Sequence, residues 1–267
     1  MMRCNWSGAA LALVLAACGG GSEGVLTTQI SGGGEVTTGF VSRTVSDGGA
    51  TYGFKVFIPA NYNSVSKVPV ILFMHGSGEK GSDNVSQTNT GLGPVVKANA
   101  SFPAIVVFPQ SPAGETGRQV FVRIAPAALD QVMAEYSKAD PTRIYLTGLS
   151  YGAIHAFEVA YRRPTTFAAF VPISGDPCGL CITGVASTTQ AQGFQVVAPV
   201  LKNLPIWQFQ GDQDTQVSVV QVRLEVDAFK AVASPILYSE IKGGPHEIWD
   251  SVYANPAMWA WLYAQHR

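Results

Sequence analysis

The chain of 267 residues is long enough for one large domain or two small ones, because domains average roughly 150 residues and single α/β domains often reach about 250. Charged residues make up only 13% of it, about half the usual share of roughly 25%, which we interpret as more typical of an exported than of a cytosolic protein. With 17 Lys and Arg against 18 Asp and Glu, the chain has no basic excess to neutralise phosphates, so no nucleic acid is expected as a partner.

The first element in chain order is a short apolar segment. Arg3 precedes the run Ala9–Ala17, which is too short to cross about 30 Å of hydrocarbon as a helix and is typical of an export signal. The run ends in Leu-Ala-Ala-Cys, which resembles the lipobox of bacterial lipoproteins and implies that Cys18 is lipidated and becomes the first mature residue. A buried amphipathic helix is the alternative, but the run shows no helical period of polar residues.

Glycines follow Cys18 and recur at Gly32–Gly34, a composition typical of a flexible tether. The sequence therefore predicts a lipoprotein signal peptide over residues 1–17, a Gly-rich tether over 18–34 and one folded domain over 35–267. We expect an exported protein, held by its lipid anchor at a bacterial membrane on the periplasmic or cell-surface side.

Two cysteines would remain as thiols in such a mature protein. Two residues separate Cys178 from Cys181. This spacing suits a redox pair, half of a zinc site or a small disulfide. The sequence has no second such pair and its histidines lack metal-ligand spacing, so no metal is expected. In an oxidising compartment the spacing favours a local disulfide.

Beyond the tether, β-branched runs alternate with helical segments. Val36–Val45 and Tyr52–Ile58 predict an antiparallel pair, because the Ser-Asp-Gly-Gly sequence between them favours a turn. Six further apolar runs without polar alternation are typical of strands buried on both faces. They are Val68–Met74, Ala104–Phe108, Arg143–Thr147, Phe167–Ile173, Ile206–Phe209 and Ile236–Ile241.

Helices are predicted at about 121–137, 151–162, 217–233 and 247–265. The third has the clearest 3.6-residue period, which predicts that Val217, Val220, Leu224 and Phe229 share its buried face. Strands that alternate with helices indicate a mostly parallel sheet of eight strands with helices on both faces, an α/β fold. Residues 175–200, rich in Gly, Thr and Gln, would form a small cap or none.

In a parallel sheet, sites form beyond the carboxyl ends of the strands. One predicted strand ends in Gly148, Leu149, Ser150, Tyr151, Gly152, directly before a helix. This Gly-x-Ser-x-Gly pattern between a strand and a helix predicts a nucleophile elbow that exposes the Ser150 hydroxyl. The alternative is an ordinary Gly-rich turn.

A nucleophilic serine needs a base, and His246 follows the last predicted strand directly. His155 lies one turn along the helix after the elbow, His75 precedes a Gly-rich loop and His266 is next to the end of the chain. We therefore predict that His246 is the base, with an ordinary surface histidine as the alternative.

The base needs an acid to orient it, in the chain order Ser, Asp, His. Asp214 is the first choice because it follows the strand that ends near Phe209 and matches a recurring Gly-x-x-Asp-x-x-Val form. Asp212 competes with it, and Asp176, one strand earlier, is a third candidate.

The oxyanion of such a reaction needs two backbone donors. The amide of Tyr151, at the start of the helix, is one candidate, and the amide of Ser77 in the Gly-rich loop after the third strand is the other, with Gly78 as its alternate. The same loop does not fit a phosphate-binding loop, because no Gly-Lys-Ser/Thr ending follows.

With these positions in order, the sequence resembles the α/β-hydrolase superfamily over residues 36–267. It resembles most the esterase branch with feruloyl and acetyl xylan esterases, polyhydroxybutyrate depolymerases and predicted bacterial peptidases. The loop His75–Asn84 is similar to that branch's His-Gly-x-Gly-Glu-x-Gly-x-Asp-Asn motif, and Trp207–Asp214 and His246–Tyr253 also match.

The resemblance implies a serine hydrolase of carboxylic esters that uses no cofactor. Its substrate would be a small-molecule or polysaccharide-linked ester, with sugar-linked or aromatic groups. A serine peptidase with the same residues, or a non-catalytic surface binding protein on the same scaffold, are the alternatives. The sequence carries no signal for an oligomeric state.

Overall fold

The computed structural model describes residues 35–114, 116–177, 182 and 189–267. The predicted signal peptide and tether, with Cys18, lie outside these residues. So do Cys178 and Cys181, so their disulfide remains a prediction. No helix in the described part is long and apolar enough to span a bilayer.

Eight strands of the described part form one sheet in the order β1-β2-β4-β3-β5-β6-β7-β8. The first two are antiparallel to each other, β2 is antiparallel to β4, and the remaining pairs are parallel. The predicted mostly parallel α/β sheet is therefore confirmed. The strands are β1 Gly39–Asp47, β2 Ala50–Ile58, β3 Val68–Met74, β4 Ile105–Pro109, β5 Ala139–Leu149, β6 Ala169–Ile173, β7 Trp207–Gly211 and β8 Leu237–Ile241.

A two-residue turn joins β1 to β2. Asp47 pairs with Ala50, so only Gly48 and Gly49 lie in the loop. Both have positive φ, 57° and 84°, as a type I′ turn requires. The turn chemistry seen in the sequence thus sets the register of this hairpin.

Helices cover both faces of the sheet, as predicted. Residues of α2 to α5 pack with one face, and residues of α1, α6 and α7 pack with the other. Alternate residues of β3 point to the two sides, with Leu72 in the first cluster and Phe73 in the second. The helices are α1 Leu92–Ala98, α2 Gly117–Glu135, α3 Tyr151–Arg162, α4 Gln190–Leu201, α5 Val219–Ala231, α6 Trp249–Tyr253 and α7 Pro256–Tyr263.

The predicted buried face of α5 is wrong in part, since Phe229 is buried as predicted but Val220 and Leu224 are not. Val220 is 54% exposed and Leu224 is 42% exposed, whereas Val222, Glu225 and Phe229 are buried. The buried side of α5 includes Glu225, which is fully buried, so a search for apolar residues alone does not identify this side.

The single predicted helix over 247–265 is also wrong. It is divided into α6 and α7, since Asn255 caps α7 by accepting a hydrogen bond from the amide of Ala257 and Pro256 is its first residue. Helices α1 and α4 were not predicted, and α2 begins at Gly117, four residues before its expected start.

Candidate active site

Ser150 lies at the sharp turn between β5 and α3. Its backbone has φ 51° and ψ −122°, a conformation that is costly for a residue other than glycine. The turn is possible because Gly152 packs against β3, where an added Cβ would lie 2.0 Å from the carbonyl oxygen of Met74. The amide of Ser150 donates to the carbonyl of Ile173, which fixes the turn to β6.

His246 lies in the connection between β8 and α6 and is 5% exposed. Its Nε2 is 2.8 Å from Ser150 Oγ, and its Nδ1 is 2.7 Å from Asp214 Oδ2. The carbonyl oxygen of His246 accepts a hydrogen bond of 2.7 Å from the buried hydroxyl of Ser174. Both the ring and the backbone of His246 are therefore fixed.

Asp214 lies in the loop after β7, and both of its carboxylate oxygens are occupied. Oδ1 accepts from the amides of Gln216 and Val217, and Oδ2 accepts from Gln210 Nε2 and from the ring of His246. Burial raises the pKa of Asp214, but these hydrogen bonds outweigh it and hold the pKa below its ordinary value. The carboxylate stays ionised beside the imidazole.

The other two candidate acids lie elsewhere. Asp212 accepts a hydrogen bond from the amide of Gly243, which ties the loop after β7 to the loop that carries His246. Asp176 follows β6. Burial raises the pKa of Glu225, and the negative charge of Asp176 raises it further. In the described part, the carboxylate bonded to the His246 ring is that of Asp214.

A pocket of about 180 Å³ contains Ser150 and His246. Ser77 and Gly78 also line it, and neither amide donates to another backbone group in the described part. The amide of Tyr151 is the first of α3 and has no acceptor within the helix. The structure thus brings Ser77 and its alternate Gly78 to the pocket, while the Tyr151 side chain packs behind the elbow, stacked on Phe121.

No protein-family model matches the chain. Its sequence is similar to that of poly(3-hydroxyalkanoate) depolymerase C of Paucimonas lemoignei, with 24% identity over 233 residues that cover 74% of this chain and 53% of the depolymerase. Its structure is similar to that of a thermostable esterase, with a TM-score of 0.66 and 27% identity over 85% of this chain and 63% of the esterase. The chain has the α/β-hydrolase fold.

A third relative agrees on the fold. The feruloyl esterase module from Clostridium thermocellum has a TM-score of 0.55 and 17% identity over 80% of this chain and 83% of that structure. These relatives confirm the resemblance to the esterase branch of the α/β hydrolases. The chain spans about half the length of the depolymerase and less than two thirds of the thermostable esterase.

Two further histidines of the chain lie behind the elbow. His75 Nδ1 donates to the carbonyl of Gly76, and its Nε2 accepts from the amide of Ser111. His155 Nδ1 donates to the carbonyl of Tyr151. Burial lowers the pKa of both rings to about 4, so they are neutral at pH 7.

Three polar residues that the sequence analysis did not select hold the site together. Gln110 accepts from the amide of Asn84 and donates to Asp83, which fastens the loop after β3. Ser174 holds His246, and Gln210 holds Asp214. All three are buried polar residues at the carboxyl ends of strands, a signal that the sequence contained.

In the same described part of the chain, no group of three or more His, Cys, Asp and Glu side chains is arranged to hold a metal ion.

Proposed function

We propose that this chain is a serine hydrolase of carboxylic esters in which Ser150 is the nucleophile, His246 the base and Asp214 the orienting acid. The observation that carries the proposal is the continuous series of hydrogen bonds from Ser150 Oγ through His246 to Asp214, in which Ser150 and His246 line one pocket. The similarity to a poly(3-hydroxyalkanoate) depolymerase and to a thermostable esterase supports it.

The geometry suits acyl transfer in two stages. His246 Nε2 takes the proton of Ser150 Oγ, the oxygen bonds to the ester carbonyl carbon, and Asp214 stabilises the imidazolium. His246 then gives that proton to the leaving alcohol oxygen as the ester C–O bond breaks. A water molecule repeats the sequence on the acyl-enzyme, which releases the acid and restores Ser150.

The tetrahedral intermediate carries a negative oxygen that backbone amides stabilise. We assign this role to the amides of Tyr151 and Ser77, with Gly78 as alternate for the latter. The positive end of α3 supports the first assignment, and the position of Ser77 on the pocket wall supports the second. The loss of one such donor costs about 2.7 to 4 kcal/mol of transition-state stabilisation.

For the substrate, we propose a neutral ester with a sugar-linked or aromatic group. The low content of charged residues supports a substrate that needs no electrostatic steering. Similarity to a feruloyl esterase module that was crystallised with sinapinate, an aromatic acid, supports the second half of the proposal.

Replacement of the nucleophile tests the mechanism. Hydrolysis of 4-nitrophenyl acetate by Ser150→Ala should fall by at least roughly 10⁴-fold, because Ser150, His246 and Asp214 act as a unit. The matched control is Ser218→Ala, which replaces an exposed serine directly before α5. This variant should keep the wild-type rate. Wild-type activity in Ser150→Ala would refute the proposed nucleophile.

A fluorophosphonate probe tests the activated serine independently of substrate. It should label the wild type and the Ser218→Ala control but not Ser150→Ala. A wild type that is not labelled would instead favour the non-catalytic binding protein. Faster hydrolysis of peptide amides than of matched esters would favour the peptidase.

We also propose the lipid anchor at Cys18, which the Leu-Ala-Ala-Cys sequence supports. Expression of the full chain in bacteria fed labelled palmitate should label the wild type in the membrane fraction, whereas Cys18→Ala should carry no label. Equal labelling of both proteins would refute the anchor.

A further inference from the structure

A second cavity lies next to the pocket of Ser150. It has a volume of about 430 Å³ and is lined by Asn89, Thr90, Pro94, Val95, Trp249 and Asp250, and we call it the Trp249 cleft. Thr90 and Trp249 also line the pocket of Ser150 and His246. The two cavities therefore adjoin along these two side chains, and the cleft is more than twice as large as the pocket.

Trp249 connects the cleft to the proposed chemistry. Its ring is perpendicular to that of His246, with the ring centroids 5.6 Å apart and an interplanar angle of 89°. In the proposed mechanism His246 gives its proton to the leaving alcohol oxygen, so this oxygen must lie against the His246 ring. A group attached to that oxygen is then directed towards Trp249 rather than towards the oxyanion loop at Ser77.

The Thr90 hydroxyl donates to Glu79 Oε1, but three other polar groups of the cleft are available for a ligand. The side-chain oxygen of Asn89 accepts from the Lys97 ammonium at 2.9 Å, which orients the amide and leaves its NH₂ group as a donor. Asp250 is exposed, and no hydrogen bond or ion pair engages its carboxylate within the residues that the structure describes. The half-buried Trp249 likewise has no described acceptor for its indole N–H.

An aromatic face beside a carboxylate acceptor and an amide donor matches one kind of group. A sugar ring presents C–H groups on its face, which pack on an aromatic ring, and hydroxyl groups on its edge, which both donate and accept. The chain of an aliphatic polyester offers acceptors but no donor for Asp250, and an anionic group would be repelled by it.

We propose that the Trp249 cleft is the subsite for the leaving alcohol, and that it binds the sugar ring of a carbohydrate ester. Trp249 packs on the ring face, and Asp250 and Asn89 bind the hydroxyls. The inference rests on the proposed function, which supplies the direction from His246 into the cleft, and it deepens that function by assigning the sugar to the leaving side of the ester.

The experiment compares three esters with the same acetyl group: a monoacetylated methyl xyloside, phenyl acetate and ethyl acetate. Acid release in a pH-stat gives kcat/KM for each. Wild-type protein should prefer the xyloside ester to ethyl acetate. Trp249→Ala should lower kcat/KM for the xyloside ester by roughly 10- to 30-fold more than for ethyl acetate, as is typical when a buried aromatic anchor is truncated.

Asp250→Ala separates a hydroxylated ring from any ring. It should slow the xyloside ester several-fold and leave phenyl acetate and ethyl acetate unchanged, because these have no hydroxyl for the carboxylate. Asp227→Ala, which removes another exposed acid on α5, is the matched control and should change none of the three. The ratio of ethyl acetate to ethyl butyrate should stay the same in all variants, since it reports on the acyl side.

The inference is overturned if Trp249→Ala slows all three acetyl esters by one factor, because Trp249 would then only support His246. It is also overturned if Asp250→Ala leaves the xyloside ester unchanged, or if the variants alter the acyl ratio instead. A wild type that hydrolyses none of these esters refutes the proposed function itself, so the two failures are distinct.

Discussion

Histidines lie on both sides of the elbow at Ser150, and their hydrogen-bond partners differ. On the pocket side, His246 bonds to a carboxylate and to a hydroxyl. On the other side, His75 and His155 bond to backbone groups, and burial lowers the pKa of each to about 4. In the proposed mechanism a histidine acts as the base because of its partners and its access to the pocket, whereas His75 and His155 serve as neutral packing groups.

The largest effect is expected from Gly152, which lies between the two sides. Gly152→Ala would place Cβ 2.0 Å from the carbonyl oxygen of Met74, so α3 could not pack on β3. We expect a loss of about 4 kcal/mol or more in the free energy of unfolding, measured by urea denaturation. Gly78→Ala is the control, since an added Cβ there meets nothing within 4 Å. Equal stability of the two variants would contradict the close packing.

Asp214→Asn should impair the function of His246 in the pocket without disturbing His75 and His155 behind the elbow. It keeps the shape but favours the wrong tautomer of His246, so kcat should fall by about 10⁴-fold with little change in stability. Asp212→Asn, which changes only the bond to the Gly243 amide, should stay within a few-fold of wild type. If Asp212→Asn has the larger effect on kcat, the choice of acid is wrong.

The two buried histidines behind the elbow should make the stability of the fold sensitive to acid. The unfolded His75 and His155 titrate near 6.5 and the folded ones near 4, so the unfolded state binds more protons between these pH values. Stability should therefore fall as pH falls through this window, by up to about 3 kcal/mol per histidine.

Replacement of one ring sharpens this prediction. His155→Gln should lose less stability than wild type between pH 6.5 and 4, measured by urea denaturation at several pH values. His266→Gln, at the exposed end of the chain, should keep the wild-type pH dependence. A pH dependence in His155→Gln identical to that of wild type would contradict the buried, neutral state of His155.

The smallest effect is expected at Ser174, which bonds to the His246 carbonyl at 2.7 Å. Ser174→Ala should cost about 1 kcal/mol of stability, typical of one hydrogen bond, and lower kcat roughly 5-fold with KM unchanged. Steady-state kinetics beside the Ser218→Ala control will test this. A changed KM with constant kcat would show that Ser174 does not position the base.

Local patterns predicted much of the framework. Val68–Met74 was predicted as a strand and Tyr151–Arg162 as a helix with the observed bounds, because an apolar run and a Gly-x-Ser-x-Gly turn are signals within one segment. Ser150, His246 and Asp214 were found by their places after strands, and the structure brings them together.

Tertiary contacts account for what was missed. Glu225 lies on α5 and is buried because of tertiary packing. No periodicity within the helix indicates that the neighbouring Leu224 is exposed. The Trp249 cleft joins Asn89 to Asp250, which are distant in the chain, so no short segment contains its pattern. The break at Asn255 and Pro256 did have a readable local signal, an Asn-Pro pair, that the predicted helix overlooked.

The hydrogen bond between Ser150 and His246 depends on the order in which the chain folds. Ser150 and His246 are 96 positions apart, and His246 follows the strand at one edge of the sheet. Contacts of such long separation form late, after the costly closure of the chain between them. Recovery of the proposed ester hydrolysis during refolding would therefore report the completion of the whole sheet, and it should lag behind the recovery of helical circular dichroism.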